Sequence, residues 1–228
     1  MVKKRITRKQ LLKEPDEFIT FTGKLIRFAT QYKTHISVSV GALFVLLIVI
    51  AGMRYYSNKS EDKAFDLLEK GMRAYEMILK DSGPNNAFHD VENDFQLILK
   101  KYSGSYGGKF ARVIFANICY NAEAYDRAIT LYSQALDDFD DQPSIKNLIL
   151  NGLAYSHESK KEYDTAAIYF DTIASGPASI LKDEALFHSG WLYERMGKEN
   201  KSREAFQKLL SDYPDSLFIE LVKEKIAG

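Results

Sequence analysis

The sequence predicts an all-α protein with one N-terminal transmembrane helix, an α-solenoid of about four helical hairpins and a C-terminal capping helix. Three observations indicate this fold: an apolar run near the N-terminus, a phrase that recurs at a near-constant period, and four prolines that fall at inferred helix boundaries. The predicted organisation is a basic cytoplasmic head over residues 1–33, a transmembrane helix over 34–54 and a repeat domain over 55–228.

The first 33 residues form the basic head. They hold nine lysines and arginines against three acidic residues, a net charge of +6, whereas the rest of the chain carries −6. Large apolar side chains recur in the head every three or four residues, which predicts an amphipathic helix over 15–33 on the cytoplasmic leaflet. These side chains are Phe18, Phe21, Leu25, Phe28 and Tyr32. A soluble helix that contacts a cytoplasmic partner is the alternative.

Residues 34–53 contain no Lys, Arg, Asp or Glu. As a helix, the apolar run over 36–53 would be ~27 Å long, which matches the hydrocarbon core of a bilayer. The excess of basic residues before the run predicts a cytoplasmic N-terminus and a repeat domain on the other side of the membrane. The residues expected to contact lipid include Ile36, Leu43, Phe44, Leu46, Leu47 and Ile48.

Two other interpretations of this run are open. It could be the core helix of a soluble domain, although such a helix normally has a polar stripe and this run has only Ser37 and Ser39 near its start. It could also be a signal peptide that is cleaved after Ala51, although 33 residues are long for the basic region of such a peptide. We interpret the run as an uncleaved anchor.

A repeated phrase follows the apolar run. FQLILKKYSGS begins at Phe95, and FQKLLSDYPDS, which is identical at five of eleven positions, begins at Phe206. Two related phrases lie between them, YSQALDDFDDQ from Tyr132 and FDTIASGPAS from Phe170. The leading aromatic residues are 37, 38 and 36 positions apart. This period predicts that the phrase is the second helix of a repeated helical hairpin.

The first helix of each hairpin carries a small residue where the two helices should cross. Ala116, Ala154 and Gly190 have this position, and tyrosines mark two of the turns. The pattern resembles the tetratricopeptide repeat (TPR) over about residues 60–216. That resemblance implies a solenoid in which the first helices line a concave groove. The first unit is expected to contain an insert, DSGPNNAFHD, between its helices. The apolar spacing from Leu217 to Ile226 predicts the capping helix.

The sequence lacks the patterns of an enzyme. It contains no G-x-S-x-G, no phosphate-binding glycine loop and no metal-ligand spacing among its four histidines. The single cysteine, Cys119, is expected to be a core residue. The acidic repeat domain disfavours nucleic-acid binding. We therefore expect no catalytic residue, no metal, no cofactor and no small-molecule substrate.

The expected function is recognition of polypeptides in the groove. On the TPR register the residues that line it are Val113, Asn117, Asn151, Tyr155, Phe187 and Trp191. An asparagine and two aromatic residues in line suit an extended peptide or a partner helix, because aromatic side chains offer a large area with few rotamers. The alternative is that Tyr155 and Trp191 are packing residues.

The whole layout resembles the YfgM-like membrane-anchored proteins, which are ancillary subunits of the bacterial Sec translocon that contact periplasmic chaperones. The resemblance implies a scaffold in the inner membrane, with a periplasmic repeat domain, whose partners are translocon subunits and chaperones. Two alternatives are a membrane-tethered holdase that binds unfolded clients and a regulatory subunit of an envelope complex.

We expect the membrane-extracted protein to keep its basic head, because the uncleaved apolar run holds the chain in the bilayer. N-terminal sequencing of that protein should therefore read residues of the head. A chain that begins at Gly52 would show cleavage after Ala51 and would contradict the anchor.

Overall fold

The structure is a computed structural model that describes residues 17–227, with side chains described over 21–226. Within these bounds the chain forms nine helices and no strand, which confirms the predicted all-α fold. The helices are α1 (Glu17–Gln31), α2 (Lys33–Tyr102), α3 (Tyr106–Asn121), α4 (Tyr125–Asp138), α5 (Pro143–Ser159), α6 (Tyr163–Ser175), α7 (Lys182–Arg195), α8 (Glu199–Asp212) and α9 (Ile219–Ala227). Residues 1–16 of the predicted head lie outside the described residues. The chain divides into two units, one ending at Ser57 and the other beginning at Asn58.

The first unit contains α1 and the first part of α2. In α2, an 18-residue stretch has a mean hydropathy of 2.6, and none of it is buried. This stretch is long and apolar enough to cross a bilayer. The predicted lipid contacts Ile36, Leu43, Phe44, Leu46, Leu47 and Ile48 are all exposed. Their exposure contradicts the core-helix alternative, which requires the run to be buried.

The second unit opens with a hairpin, because α2 folds back on itself at Gly83. This residue has φ 80° and ψ 174°, a conformation that is not helical and that glycine adopts without strain. A Cβ atom built on Gly71 would lie 3.1 Å from the ring of Phe95, so the segments before and after Gly83 pack side by side. The first hairpin therefore consists of residues 58–82 and 84–102.

This hairpin corrects the expectation of a long insert. The sequence predicts a connection of ten residues, DSGPNNAFHD, but only Gly83 is non-helical. Ala87 and Phe88 are buried and belong to the second helix. Pro84 directly follows the non-helical residue, at the start of a helix, where a missing backbone N–H costs nothing.

The next three hairpins are α3–α4, α5–α6 and α7–α8, and their turns share one backbone geometry. In each turn a residue with a left-handed φ follows the first helix; these residues are Glu123 (60°), Lys161 (64°) and Gly197 (71°). The backbone N–H of the next residue then bonds to a carbonyl five positions earlier. The three bonds are Ala124 to Cys119 (2.9 Å), Glu162 to His157 (2.9 Å) and Lys198 to Tyr193 (2.8 Å). This helix-ending motif thus recurs in all three hairpins, with the same period as the aromatic phrase.

The leading aromatic residue of every second helix is buried between helices. The four are Phe95, Tyr132, Phe170 and Phe206, none more than 3% exposed. Phe95 stacks on Phe115 of the following hairpin, with ring centroids 5.1 Å apart. Phe170 contacts Tyr155 of its own hairpin at 5.4 Å and His188 of the next at 5.2 Å. Each ring therefore packs within a hairpin and, for these two, against the next hairpin as well.

Glycines on first helices provide space for these rings. A Cβ atom on Gly190 would lie 2.5 Å from Cε1 of Phe206, and one on Gly152 would overlap the ring of Tyr132. Gly190 is the small residue that the repeat pattern predicts. Gly152 contacts the ring of the preceding hairpin, a role that the pattern does not identify.

The N-terminus of α3, where the second hairpin begins, is capped by Glu61 of the first hairpin and by Ser105. Both carboxylate oxygens of Glu61 accept backbone N–H groups of α3, from Tyr106 at 2.8 Å and from Gly107 at 3.2 Å. The hydroxyl of Ser105 accepts a third, from Gly108, at 3.0 Å. Three of the four N–H groups that a helix leaves free at its start are thereby paired.

The hydrophobic core of the repeat domain forms two clusters. One extends from the first hairpin to α5, and the other from α5 to α9. Leu136 and Tyr169 pack against both clusters and connect them. Ile219 and Val222 of α9 are buried against the second cluster, in agreement with the predicted capping helix.

Replacing Gly190 with Ala should destabilise the repeat domain by about 1 kcal/mol, within a range of about 0–2 kcal/mol. The added methyl group collides with a buried ring, at a cost of about 1–3 kcal/mol, and the gain of about 1 kcal/mol in helix propensity offsets part of this cost. Phe206→Leu removes the ring, so the double variant should be more stable than the sum of the single changes predicts. Urea unfolding of the four proteins measures this coupling. Changes that add to within about 0.5 kcal/mol would contradict the contact.

Candidate partner-binding groove

The six predicted groove residues lie in pairs on the first helices of three successive hairpins. Val113 and Asn117 are on α3, Asn151 and Tyr155 on α5, and Phe187 and Trp191 on α7. Asn117 is exposed and the other five are half-buried.

The three first helices are neighbours in one row. The hydroxyl oxygens of Ser159 on α5 and Tyr120 on α3 are 3.5 Å apart. One turn earlier on α5, Tyr155 forms a hydrogen bond with Glu184 of α7. The predicted residues therefore border a common surface formed by α3, α5 and α7.

Tyr155 is held by a polar network between α5 and α7. Its hydroxyl donates to Oε1 of Glu184 at 2.7 Å and lies 2.8 Å from Nε2 of His188. Burial, together with the hydrogen bond to Glu184, raises the pKa of Tyr155. The side chain is thus a neutral phenol whose ring makes a T-shaped contact with that of Phe170. This arrangement fits the packing interpretation of Tyr155 and leaves only part of the ring for a partner.

His188 completes this network. Because the hydroxyl of Tyr155 donates its only hydrogen to Glu184, it accepts a hydrogen bond from Nε2–H of His188, which assigns the Nε2 tautomer to the imidazole. Nδ1 of His188 is buried without a hydrogen-bond partner in the described residues. Burial lowers the pKa of His188, against the opposing charge of Glu184. The imidazole is therefore neutral near pH 7.

Phe187 is covered by the chain's own C-terminal segment. The ring of Phe218 stacks on it with centroids 4.5 Å apart and planes inclined by 14°. The hydroxyl of Ser216 fixes this segment by donating to Asp183 at 2.7 Å. The groove surface near Phe187 is therefore partly occupied.

Trp191 contacts a guanidinium group at the end of α7. The Arg195 side chain lies 5.0 Å from the Trp191 ring centroid and 4.7 Å from that of Tyr163. Such cation–π contacts hold both aromatic side chains in place. Burial raises the pKa of the nearby Glu158 despite the charge of Arg195. This end of the groove thus combines aromatic surface with charges of both signs.

The remaining groove residues differ in exposure and in hydrogen bonding. Asn117 is exposed, and its Oδ1 accepts a hydrogen bond from the hydroxyl of Tyr132. Oδ1 of Asn151 is buried and has no hydrogen-bond partner among the described residues. Val113 packs against the first core cluster. Asn117 is therefore the most accessible of the six.

The structure adds Glu184, His188 and Arg195 to the residues that the sequence identifies. A signal for the first two was present, because Glu184, His188 and Trp191 follow each other at spacings of four and three and so share one helix face. Their contact with Tyr155 depends on how two hairpins stack, which helix periodicity does not specify.

The cysteine is buried, and two carboxylates of the acidic run are paired. Within residues 17–227, no three His, Cys, Asp or Glu side chains are placed to hold a metal ion. Burial raises the pKa of Cys119 to about 11, which keeps its thiol protonated and a poor nucleophile. In the acidic run over 137–141, Asp138 pairs with Arg112 and Asp140 with Lys146.

The stability of the repeat domain should depend on pH through His188. The ordinary pKa of histidine is about 6.5, and that of His188 is lower in the folded protein, so the unfolded chain takes up the proton first. The stability contributed above about pH 6.5 is therefore lost as the pH falls. Urea unfolding between about pH 7.5 and 5.5 should show a smaller loss in His188→Gln than in the wild type. The exposed His89 supplies the control His89→Gln, which should keep the wild-type loss; equal losses in all three proteins would contradict the role of His188.

One of three comparisons with known proteins identifies the family of this chain. A comparison with curated proteins finds no match. Among solved structures, the chain is similar to the crystal structure of BtubC (BKLC) from P. vanneervenii, with 16% sequence identity, a TM-score of 0.49, and coverage of 92% of this chain and 91% of that chain. The family of tetratricopeptide repeat-like domains matches residues 27–227. Because this match extends over most of the sequence, the chain belongs to the tetratricopeptide repeat-like domain family.

Proposed function

We propose that the protein is a membrane-anchored scaffold for protein–protein interactions, with its repeat domain on the periplasmic side of the inner membrane. The row formed by α3, α5 and α7 carries this proposal. It presents amide, aromatic and charged side chains from three successive hairpins along one surface. A surface of this kind suits an extended peptide or a partner helix.

Tyrosines at both ends of the apolar run support the membrane anchor. Tyr32 precedes the run, and Tyr55 and Tyr56 follow it, all three exposed. In a continuous helix, Tyr32 and Tyr55 would be ~35 Å apart, close to the distance between the two interfaces of a bilayer. Aromatic residues are enriched at those interfaces. A cleaved leader would have the same hydropathy, and N-terminal sequencing separates the two interpretations.

The proposed partners are subunits of the Sec translocon and periplasmic chaperones. The resemblance to the YfgM-like layout supports this assignment: a basic head, one span and an acidic repeat domain. A tethered holdase for unfolded clients and a regulatory subunit of an envelope complex would use the same surface. The partners captured by the groove distinguish these functions.

Photo-crosslinking from the groove tests the proposal. A photoreactive amino acid is placed at Asn117, the exposed groove residue, in the full-length protein in native membranes. The matched control is Gln134, an exposed residue on the second helix α4. A scaffold should give one or two discrete products from position 117 and none of these from position 134. A broad smear from position 117 would indicate a holdase, and equal products from both positions would contradict the groove.

Truncation of the two groove aromatics should separate binding from packing. If Trp191 anchors the partner, Trp191→Ala should lower the yield of the discrete product about tenfold or more, because a hot-spot residue contributes about 2 kcal/mol. The repeat domain should then melt as the wild type does. If Tyr155 and Trp191 are packing residues, each change to Ala should cost about 3–5 kcal/mol of unfolding free energy. Unchanged yield with unchanged melting would place the partner on another face.

A further inference from the structure

Helix α1 has an apolar side that nothing in the described structure covers. Phe21, Leu25 and Phe28 are 64%, 55% and 57% exposed, and their spacing of four and three places them on one side of the helix. Tyr32, directly after the helix, continues the same side, and its ring contacts that of Phe28 at 4.9 Å. A side of this size on an isolated helix of 15 residues requires an apolar environment.

Basic side chains accompany this apolar side. Lys24 and Arg27 are exposed on α1, and Lys33 follows at the start of α2. Long basic side chains can bury their methylene groups and still place the charge among lipid headgroups. The sequence of the whole head adds to this charge, with a net +6 over residues 1–33. The combination of large apolar and basic residues is typical of helices that lie at an anionic membrane surface.

Helical hydrogen bonds continue across the junction between α1 and α2: the N–H of Tyr32 bonds to the carbonyl of Phe28 at 3.0 Å, and the N–H of Ile36 bonds to that of Tyr32 at 2.9 Å. Side-chain hydroxyls on both sides of Tyr32 bond to carbonyls of the preceding turn, from Thr30 to Ile26 and Arg27 and from Ser37 to Thr34. Hydroxyl bonds of this kind often bend a helix. We therefore expect the direction of the helix to change most readily at this junction.

We propose that α1 docks on the anionic lipid leaflet from which the apolar run of α2 enters the bilayer, with Phe21, Leu25 and Phe28 toward the acyl chains. The docking rests on the proposed anchor, since the span keeps α1 within reach of the surface and so raises its effective concentration there. A soluble partner or a second copy of the chain would cover the same side without requiring anionic lipid.

Spin labels on the full-length protein in lipid vesicles test this docking. Labels are placed singly by Phe28→Cys, on the apolar side, and by Gly23→Cys, an exposed position on the opposite side with open space for a side chain, in a Cys119→Ala background. In vesicles that contain phosphatidylglycerol, the label at position 28 should be shielded from a water-soluble relaxation agent and accessible to oxygen. The label at position 23 should show the reverse. Accessibility of position 28 to the aqueous agent in these vesicles would overturn the proposal.

Two further measurements separate the lipid surface from the alternatives. Vesicles of phosphatidylcholine alone, or the variant Lys24→Gln/Arg27→Gln, should lose most of the shielding at position 28; unchanged shielding would overturn the role of anionic lipid. Dipolar broadening between labels at position 28 would show that a second copy covers the face, and would also overturn the proposal. A label at Leu46→Cys reports on the anchor itself: if it is accessible to the aqueous agent, the span has failed, whereas shielding at 46 with exposure at 28 rejects the docking alone.

Discussion

The repeat domain depends on one recurrent contact, in which an aromatic ring from a second helix fills the space beside a small residue on a first helix. Phe95 lies against Gly71, Phe206 against Gly190, and Tyr132 against Gly152 of the following hairpin. Because one ring can contact both its own hairpin and the next, the same contact sets how closely two helices cross and how far apart two hairpins stand. Because this contact recurs once in each hairpin, the aromatic residues recur in the sequence about every 37 residues.

Residues at the predicted groove contact these aromatic rings directly. Tyr155 and His188 both lie on Phe170, and Asn117 accepts a hydrogen bond from Tyr132. Residues that could contact a partner therefore rest on the residues that hold the hairpins together. This explains why five of the six predicted groove side chains are half-buried, and it means that the proposed recognition would depend on side chains that also contribute to stability.

Much of the fold could be predicted because buried rings and turns must recur at the same interval. The turn of the first hairpin could not be predicted in this way. Its sequence DSGPNNAFHD is polar enough for a loop, but in the structure Gly83 alone has a non-helical conformation. The groove positions on α3, α5 and α7 followed from the repeat register. The bond between Tyr155 and Glu184 joins residues 29 positions apart and depends on the stacking of two hairpins, which no periodicity encodes.

Helix α9 and the segment before it cover the last hairpin of the solenoid. Repeat units expose, at an open end, the same apolar surface that joins them internally, and that surface can accept further units or other copies. Here Phe218 lies on Phe187, and Ile219 and Val222 cover the last core cluster. The position that a fifth hairpin would take is already filled by the chain itself. The second core cluster is therefore closed at this end, so that a further hairpin or another copy of the chain cannot stack on it as consecutive hairpins stack on each other.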